Sequence, residues 1–234
     1  EAPDLNGGHI IRMYDQNQKL FYQSQQQSND VALKDVSPYF LKSIVAIEDH
    51  RFYEHRGFDP VGILRAIKAN ISENGRVEGA STISQQYARL MFLNNDKTWS
   101  RKIQEAFLTV RLETHYNKDT ILQGYINTVY FGHGIYGIQN ASLYYFNKQP
   151  RDLDLNEASM LAGVINGPEY YSPFKDIKAA KQRQKIVLDA MVHEKQITQQ
   201  QANQAYQSEF KLNPHPSSTI QCAYPYYRDT VISE

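Results

Sequence analysis

The 234-residue chain contains 25 Lys+Arg and 25 Asp+Glu, so its formal net charge is zero, and 41% of its residues are hydrophobic. This composition argues against a disordered chain and against a basic nucleic-acid-binding protein, while the length suits one large domain or two small ones. The single cysteine, Cys222, excludes an internal disulfide and a cysteine-cluster zinc site, and no apolar run approaches the ~18 residues of a membrane span.

The first elements predicted along the chain are two short strands. Residues 1–8 predict a tail, whereas residues 10–23 carry two β-prone segments separated by a turn at Asp15-Gln16-Asn17. From about residue 36 to residue 206 the apolar spacing is helical, and residues 213–234 predict a linker followed by a final strand at 224–231. The predicted fold is therefore mainly α, with a small β appendage formed from the chain ends.

A carboxylate lies on the apolar face of the first predicted helix, which we expect to run from residue 37 to residue 57. Phe40, Ile44, Glu48 and Phe52 are four residues apart and would share this face, whereas Asp49 would point elsewhere. Burial raises the pKa of such a carboxylate towards neutrality, as a general acid or base requires. Alternatively, Glu48 is a boundary residue whose carboxylate reaches water.

The helical region carries recognisable capping patterns. They are Asp59-Pro60, Thr82 with Gln85 and Asp154 with Glu157 at helix starts, and Asn166-Gly167-Pro168 at a helix end. In the helix that begins near Thr82, Gln86 and Arg89 share a face with the threonine. Free N–H groups, a hydroxyl and a nearby cation can hold an anion such as phosphate. The alternative is an ordinary capped amphipathic helix.

A second carboxylate, Glu105, follows two basic residues on the next predicted helix. Arg101 lies four residues and Lys102 three residues before it, so all three lie on one side. One interpretation is an intrahelical ion pair of little energetic value. The other is a carboxylate and two cations that face a charged leaving group.

Two further motifs match by chance. Gly132 to Gly137 fits G-x-G-x-x-G, but it follows a predicted helix and no βαβ unit is present, so we interpret it as a tight turn between helices. Ser172 to Lys175 fits the S-x-x-K motif of penicillin-binding transpeptidases. It lacks the partner motifs that this chemistry requires.

The ordered series of segments is more specific than any one of them. The segments are AIEDHRFYEHRGFD, GASTISQQ, RKIQE, KDTILQGYIN with VYFG, and QRQKIVL. Together, over about residues 36–212, they resemble the bacterial peptidoglycan glycosyltransferases, glycosyltransferase family 51, which moenomycin targets. The resemblance implies a lysozyme-like helical larger lobe and a smaller membrane-facing jaw lobe.

The resemblance also implies residue roles. Glu48 would be the catalytic base that deprotonates the 4-hydroxyl of the lipid II GlcNAc, and Glu105 the second essential carboxylate, near the pyrophosphate. It leaves open a divalent cation, Mg²⁺ or Mn²⁺, at Glu105, and implies no organic cofactor. The residues implied in substrate binding are Asp49, Phe52, His55, Ser81, Thr82, Gln85, Gln86, Arg89, Arg101, Lys102, Asn127, Tyr130 and Arg183.

The resemblance sets the expected organisation. Residues 1–35 would be a tail with short strands, residues 36–212 the glycosyltransferase domain, and residues 213–234 a linker towards an absent transpeptidase domain, in a chain cut from its membrane anchor. Expected partners are lipid II, the growing glycan strand and the membrane surface, on the extracytoplasmic face of a bacterial membrane. The expected membrane-facing positions are Ile63, Ile67, Ile71 and the segment Leu90 to Leu93.

Two other functions remain open on the sequence. A lysozyme-like lytic enzyme would also use a lone glutamate but would shorten existing glycan. A non-catalytic lipid-pyrophosphate-binding module would not depend on Glu48 for any activity.

Overall fold

The structure of the protein, a computed structural model, describes residues 12–14, 20–23, 29–64, 81–92 and 99–216. The chain divides into two compact units, Glu1–Asp30 with Ala223–Glu234, and Val31–Cys222. In the first unit, β1 (Arg12–Tyr14) and β2 (Leu20–Gln23) pair antiparallel, with Arg12 opposite Gln23. The two predicted N-terminal strands are therefore confirmed, whereas the strand predicted at 224–231 lies outside the described residues.

The second unit is built from helices, which confirms the prediction of a mainly α fold. After a 3₁₀ turn at Leu33–Asp35, the helices are α1 (Pro38–Glu48), α2 (60–64), α3 (Ile83–Phe92), α4 (Trp99–His115), α5 (Lys118–Thr128), α6 (Ile138–Phe146), α7 (Leu155–Val164), α8 (Pro168–Tyr171), α9 (Ile177–His193) and α10 (Gln199–Gln207). The division into two lobes and the domain limits at 36 and 212 stay predictions.

The helix α7 lies in the centre of one helical group. Every residue from Asn156 to Val164 is buried, as expected of a helix that is apolar on nearly all sides. It packs against α1 and α9, and α10 packs in turn against α9. The buried face of α1 includes Phe40 and Ile44, so the helix that carries Glu48 is anchored in this core.

A second group consists of α3 packed against α4 and α5. The approach of α3 to α5 is close, because a Cβ atom at Gly124 would lie 2.2 Å from the hydroxyl of Tyr87. Glycine at this position thus allows the two helices to pack backbone to side chain. The contact holds α3 close to α5. The helix α3 carries several of the predicted site residues.

The predicted helix starts are found in the structure. Thr82 and Gln85 form a reciprocal capping box before α3, with N···O distances of 3.0 and 3.2 Å. A second capping box joins Asp154 and Glu157 before α7, and Pro60 is the first residue of α2. These caps satisfy backbone N–H groups that a helix leaves unpaired at its start.

The two chance motifs occupy structural positions. The glycines from 132 to 137 form a tight turn between α5 and α6, and at Gly137, where φ is +78°, a Cβ would lie 2.6 Å from the carbonyl oxygen of Asn127. Ser172 is fully buried and hydrogen-bonds to His133 Nε2 at 2.7 Å, whereas Lys175 pairs with Glu169. The interpretation of the glycines as a tight turn is therefore confirmed, and the chance match at Ser172 stays a prediction.

Within the residues that the structure describes, no helix combines the length and the apolar character needed to cross a membrane.

Candidate active site

The first predicted carboxylate, Glu48, is the last residue of α1. The prediction of a helix that continues to residue 57 is wrong, because Asp49 adopts an extended backbone with φ of −164° and the chain turns over residues 51–57. Phe52 therefore does not belong to the same helical face, although it is fully buried. Asp49, predicted to point elsewhere than the apolar face of α1, is buried against other segments of the chain.

The Glu48 carboxylate is enclosed by other helices. Gln86 of α3 donates from Nε2 to Glu48 Oε2 at 2.9 Å, while Oε1 is buried and has no hydrogen-bond partner among the described residues. Burial raises the pKa of Glu48 and outweighs the opposing effects of the Gln86 hydrogen bond and the Arg183 charge. A raised pKa makes this carboxylate a stronger proton acceptor, as a general base requires.

Asp49 joins three segments around Glu48. Its carboxylate accepts the backbone N–H of Ile83 at 3.0 Å and the Nε2–H of His55 at 2.9 Å. The other ring nitrogen of His55 accepts the N–H of Gly57 at 3.1 Å, and the Thr82 hydroxyl donates to the Gly57 carbonyl at 2.6 Å. We call these four hydrogen bonds of Asp49, His55 and Thr82 the Asp49 bracket. The bracket holds the start of α3 against the turn after α1, and it thereby places Gln86 against Glu48.

The extended backbone at Asp49 allows its side chain to make the hydrogen bonds of the bracket. In a continuing helix the Asp49 side chain would project on the surface of α1 and could not meet both the start of α3 and His55. Sequence periodicity carries no information about these two donors, because they arrive from residues 55 and 83.

The residues at the start of α3 differ in exposure. Thr82 is buried, and its hydroxyl accepts the Gln85 N–H and donates to the Gly57 carbonyl. Ser81 and Gln85 are half-buried. Arg89 Nη2 donates to the Ser81 hydroxyl at 3.4 Å. Substrate contacts by these side chains stay predictions.

The second carboxylate, Glu105, lies between two cations. Arg89 Nε donates to Oε2 at 3.0 Å and Lys102 Nζ to Oε1 at 2.9 Å, while the Glu105 side chain is only 1% exposed. Burial alone would raise the pKa of Glu105, but the hydrogen bonds and charges of Arg89 and Lys102 outweigh it and lower the pKa. The ion pair between Lys102 and Glu105 is the intrahelical pair that their spacing predicts. The Arg101 side chain lies outside the described residues.

The predicted divalent cation does not fit the Glu105 site as the structure presents it. Both carboxylate oxygens are engaged by positive side chains, which would repel a second cation. In the described ranges no three His, Cys, Asp or Glu residues are grouped closely enough to hold a metal ion.

One helix connects the two carboxylates. Gln86 and Arg89 are three residues apart on α3 and therefore lie on one face, about one turn apart. Gln86 contacts Glu48 and Arg89 contacts Glu105. The structure thus places a half-buried carboxylate with a raised pKa and a cation-flanked carboxylate along the same side of α3.

Of the remaining predicted residues that the structure describes, only Arg183 is linked to this face by an interaction. Arg183 of α9 acts electrostatically on Glu48 and lies over the Tyr171 ring at 5.7 Å. Tyr130 is half-buried and accepts the N–H of Gly134 at 3.3 Å. Asn127 binds the backbone of Val31 with both ends of its amide, at 3.0 and 2.9 Å.

The structure adds one residue that sequence reasoning did not select. The Tyr125 hydroxyl donates to Gln86 Oε1 at 3.0 Å, so it is linked through Gln86 to Glu48. Tyr125 is fully buried beside apolar residues of α5. In the sequence it belongs to an apolar stripe, and nothing there distinguishes it from a core residue.

Comparison with known proteins identifies related chains. The family model described as Transglycosylase matches residues 15–192. Penicillin-binding protein 2D of Bacillus subtilis is 44% identical over 204 residues, which are 87% of this chain and 30% of that protein. Penicillin-binding protein 1A of Escherichia coli is 37% identical over 227 residues, 97% of this chain and 26% of that protein.

Among solved structures, the 2.6 Å crystal structure of penicillin-binding protein 1A from Haemophilus influenzae aligns with a TM-score of 0.48 at 18% identity. The alignment covers 88% of this chain and 21% of that one. The present chain thus spans between a quarter and a third of the length of the two curated relatives described above.

Proposed function

The chain belongs to the transglycosylase family, the peptidoglycan glycosyltransferases, and we propose that it polymerises lipid II into β-1,4-linked glycan strands with Glu48 as the general base. The observation that carries this proposal is the pair of environments along α3. One carboxylate is buried beside an amide and has a raised pKa, and the other is flanked by two cations. A base separated from a stabiliser of the leaving group is what inverting glycosyl transfer needs.

In the proposed reaction, Glu48 accepts the proton from the 4-hydroxyl of the lipid II GlcNAc. The oxygen forms a bond to the anomeric carbon of the growing chain. The bond from that carbon to the pyrophosphate oxygen breaks, and both of its electrons leave with the polyprenyl pyrophosphate. The α-linked carbon becomes β-linked, and Glu48 returns its proton to water before the next transfer.

The leaving group would meet the cations around Glu105. Arg89 and Lys102 are 38% and 50% exposed, so each retains N–H groups that a pyrophosphate can approach, while Glu105 is buried beneath them. Two cations and one carboxylate leave a net positive charge there. We expect Glu105 to hold the two cations in position, and their fixed charge to stabilise the departing anion.

We also propose that α4 contributes to contact with the membrane surface from which lipid II is presented. Ile103, Phe107 and Val110 follow one another at helical spacing and are 70%, 61% and 52% exposed. Of the positions expected from the sequence, Ile63 and Leu90 are exposed, whereas Ile67 and Ile71 lie outside the described residues. The enzyme would act on the extracytoplasmic face of the bacterial membrane.

The relatives that match are named penicillin-binding proteins. We propose that this chain works next to a penicillin-binding transpeptidase in a longer protein, where the glycan it makes is cross-linked.

The decisive experiment is polymerisation of labelled lipid II by the wild-type chain and by Glu48→Gln. We expect long glycan from the wild type and a rate lower by about 10²- to 10⁴-fold in the variant, the usual contribution of a general base. Glu209→Gln, a matched change at an exposed glutamate, should polymerise like the wild type.

Two results would contradict the proposal. Shortening of existing glycan without polymer would identify a lytic enzyme. Equal polymerisation by the wild type and Glu48→Gln would remove Glu48 as the base.

A further inference from the structure

The amide of Gln86 is held at both ends by side chains of other helices. Its Oε1 accepts the Tyr125 hydroxyl at 3.0 Å, and its Nε2 donates to Glu48 Oε2 at 2.9 Å. The three side chains come from α5, α3 and α1, so the chain of hydrogen bonds exists only in the folded protein. Tyr125 itself is fully buried and has no direct contact with Glu48 among the hydrogen bonds of the described residues.

The orientation of this amide matters for the proposed base. An amide presents two N–H donors at one end and an acceptor oxygen at the other. A donor facing a carboxylate favours the ionised form, whereas an amide oxygen in the same place would favour the protonated form. A base must be ionised when the substrate hydroxyl arrives, so the donor end has to face Glu48.

We propose that Tyr125 is a positioning residue for glycosyl transfer, which holds the Gln86 amide with its N–H end towards Glu48 and so keeps the buried carboxylate ionised. The proposal rests on the proposed role of Glu48 as the base. Tyr125 acts through Gln86 and does not contact the reacting atoms.

Other charged groups also act on Glu48. Burial and the neighbouring Asp49 raise its pKa, while Arg183 from α9 lowers it. Glu48 itself and, less strongly, Arg89 of α3 act electrostatically on the Tyr125 hydroxyl. All of these groups remain in a Tyr125→Phe variant, which removes a single hydroxyl from a buried ring, so any change in the titration of Glu48 can be assigned to the hydrogen-bond chain.

The first measurement is a ¹³C NMR titration of the glutamate carboxyl groups in the full chain, with the Glu48 signal assigned by its loss in Glu48→Gln. Without the Tyr125 hydroxyl the amide can rotate away from the carboxylate. We expect the Glu48 pKa to rise by about 1 unit in Tyr125→Phe, since a hydrogen bond to a charged group is worth roughly that much. Gln86→Met, which removes the amide, should raise it by about the same amount or more.

The matched control is Tyr145→Phe. Tyr145 is also fully buried, and its hydroxyl donates to the Phe131 carbonyl at 2.7 Å, away from Glu48. This variant loses a comparable buried hydrogen bond, so it controls for a general loss of stability. It should leave the Glu48 titration where it is in the wild type.

The second measurement is the pH dependence of lipid II polymerisation. We expect the acid side of the kcat/KM profile to move to higher pH by the same shift in Tyr125→Phe, with activity recovered at alkaline pH. In a Gln86→Met background the Tyr125→Phe change should produce no further shift.

The outcomes separate this inference from the proposed function. If the wild type polymerises and Glu48→Gln does not, but Tyr125→Phe leaves both the Glu48 titration and the pH profile unchanged, the positioning role is refuted while the base survives. An equal loss of rate at every pH would indicate a structural role only. If the wild type does not polymerise, the NMR titration still decides whether Tyr125 controls the ionisation of Glu48.

Discussion

Replacing Asp49 by alanine tests whether this residue is primarily a structural bracket or a substrate ligand. The Asp49 side chain is 3% exposed and accepts two buried donors, His55 Nε2–H and the backbone N–H of Ile83. Each donor left without an acceptor in the interior costs about 1–3 kcal/mol, so the two together give about 2–6 kcal/mol. We expect Asp49→Ala to lower the free energy of unfolding by about 4 kcal/mol, the middle of that range.

The free energy of unfolding of Asp49→Asn should lie between those of the wild type and Asp49→Ala. The asparagine oxygen can accept one of the two donors, but its NH₂ group faces the other. We therefore expect a loss of about 1–3 kcal/mol, the cost of one unsatisfied donor. A bound substrate is not needed for either effect, because the bracket is internal to the chain.

The assay is urea denaturation at pH 7, followed by circular dichroism and by tyrosine fluorescence. At m values of about 1–3 kcal/mol/M, the Asp49→Ala midpoint should fall by more than ~1 M. The control is Asp189→Ala, which removes an exposed ion pair with Lys185 and should cost less than ~1 kcal/mol. If Asp49→Ala unfolds within ~1 kcal/mol of the wild type at an unchanged m value, the bracket does not hold α3 and the argument fails.

Two further predictions concern charge and surface. Because the pKa of Glu105 is lowered from 4.5 in the folded chain, its ion pairs contribute stability above pH 4.5 that is lost as the pH falls through the lowered value. The destabilisation caused by Glu105→Gln should therefore shrink between pH 7 and pH 3 in urea denaturation; a constant difference would contradict the pairing with Arg89 and Lys102. On the surface, Ile103→Asp should weaken co-flotation with vesicles of anionic lipid, while Ile177→Asp, at an exposed isoleucine of α9, should not; equal flotation of both would exclude α4 from membrane contact.

The features that the sequence predicted correctly depend on neighbours along the chain. The mainly α class, the two N-terminal strands and the capping boxes at Thr82 and Asp154 follow from residue types within a few positions of each other, whereas the turn predicted at residues 15–17 lies outside the described residues. Glu48 lies between the two alternatives drawn from the sequence, because the residue is half-buried and one of its carboxylate oxygens is enclosed. The assignment of the chain to a glycosyltransferase depends on the order and the intervals of the motifs rather than on any one of them.

The end of the first helix shows where periodicity fails. Phe52 continues the four-residue spacing from Phe40, yet α1 stops at Glu48. Where the helix ends, Asp49 makes buried hydrogen bonds with His55 and with the backbone at the start of α3, and these partners are remote along the chain. A hydrophobic residue that continues the spacing of a helix can therefore lie in a turn after the helix and still be buried.

The sequence by itself determined the helical class, the two N-terminal strands and the helix starts, because these depend on residue types that are close along the chain. Only the tertiary structure decided that Arg89 of one helix neutralises Glu105 of another, that Asp49 is a bracket, and that Tyr125 reaches Glu48 through Gln86. Each of these contacts joins residues from different helices. Their geometry depends on how closely the helices pack, and a pattern along one chain segment carries no information about that distance.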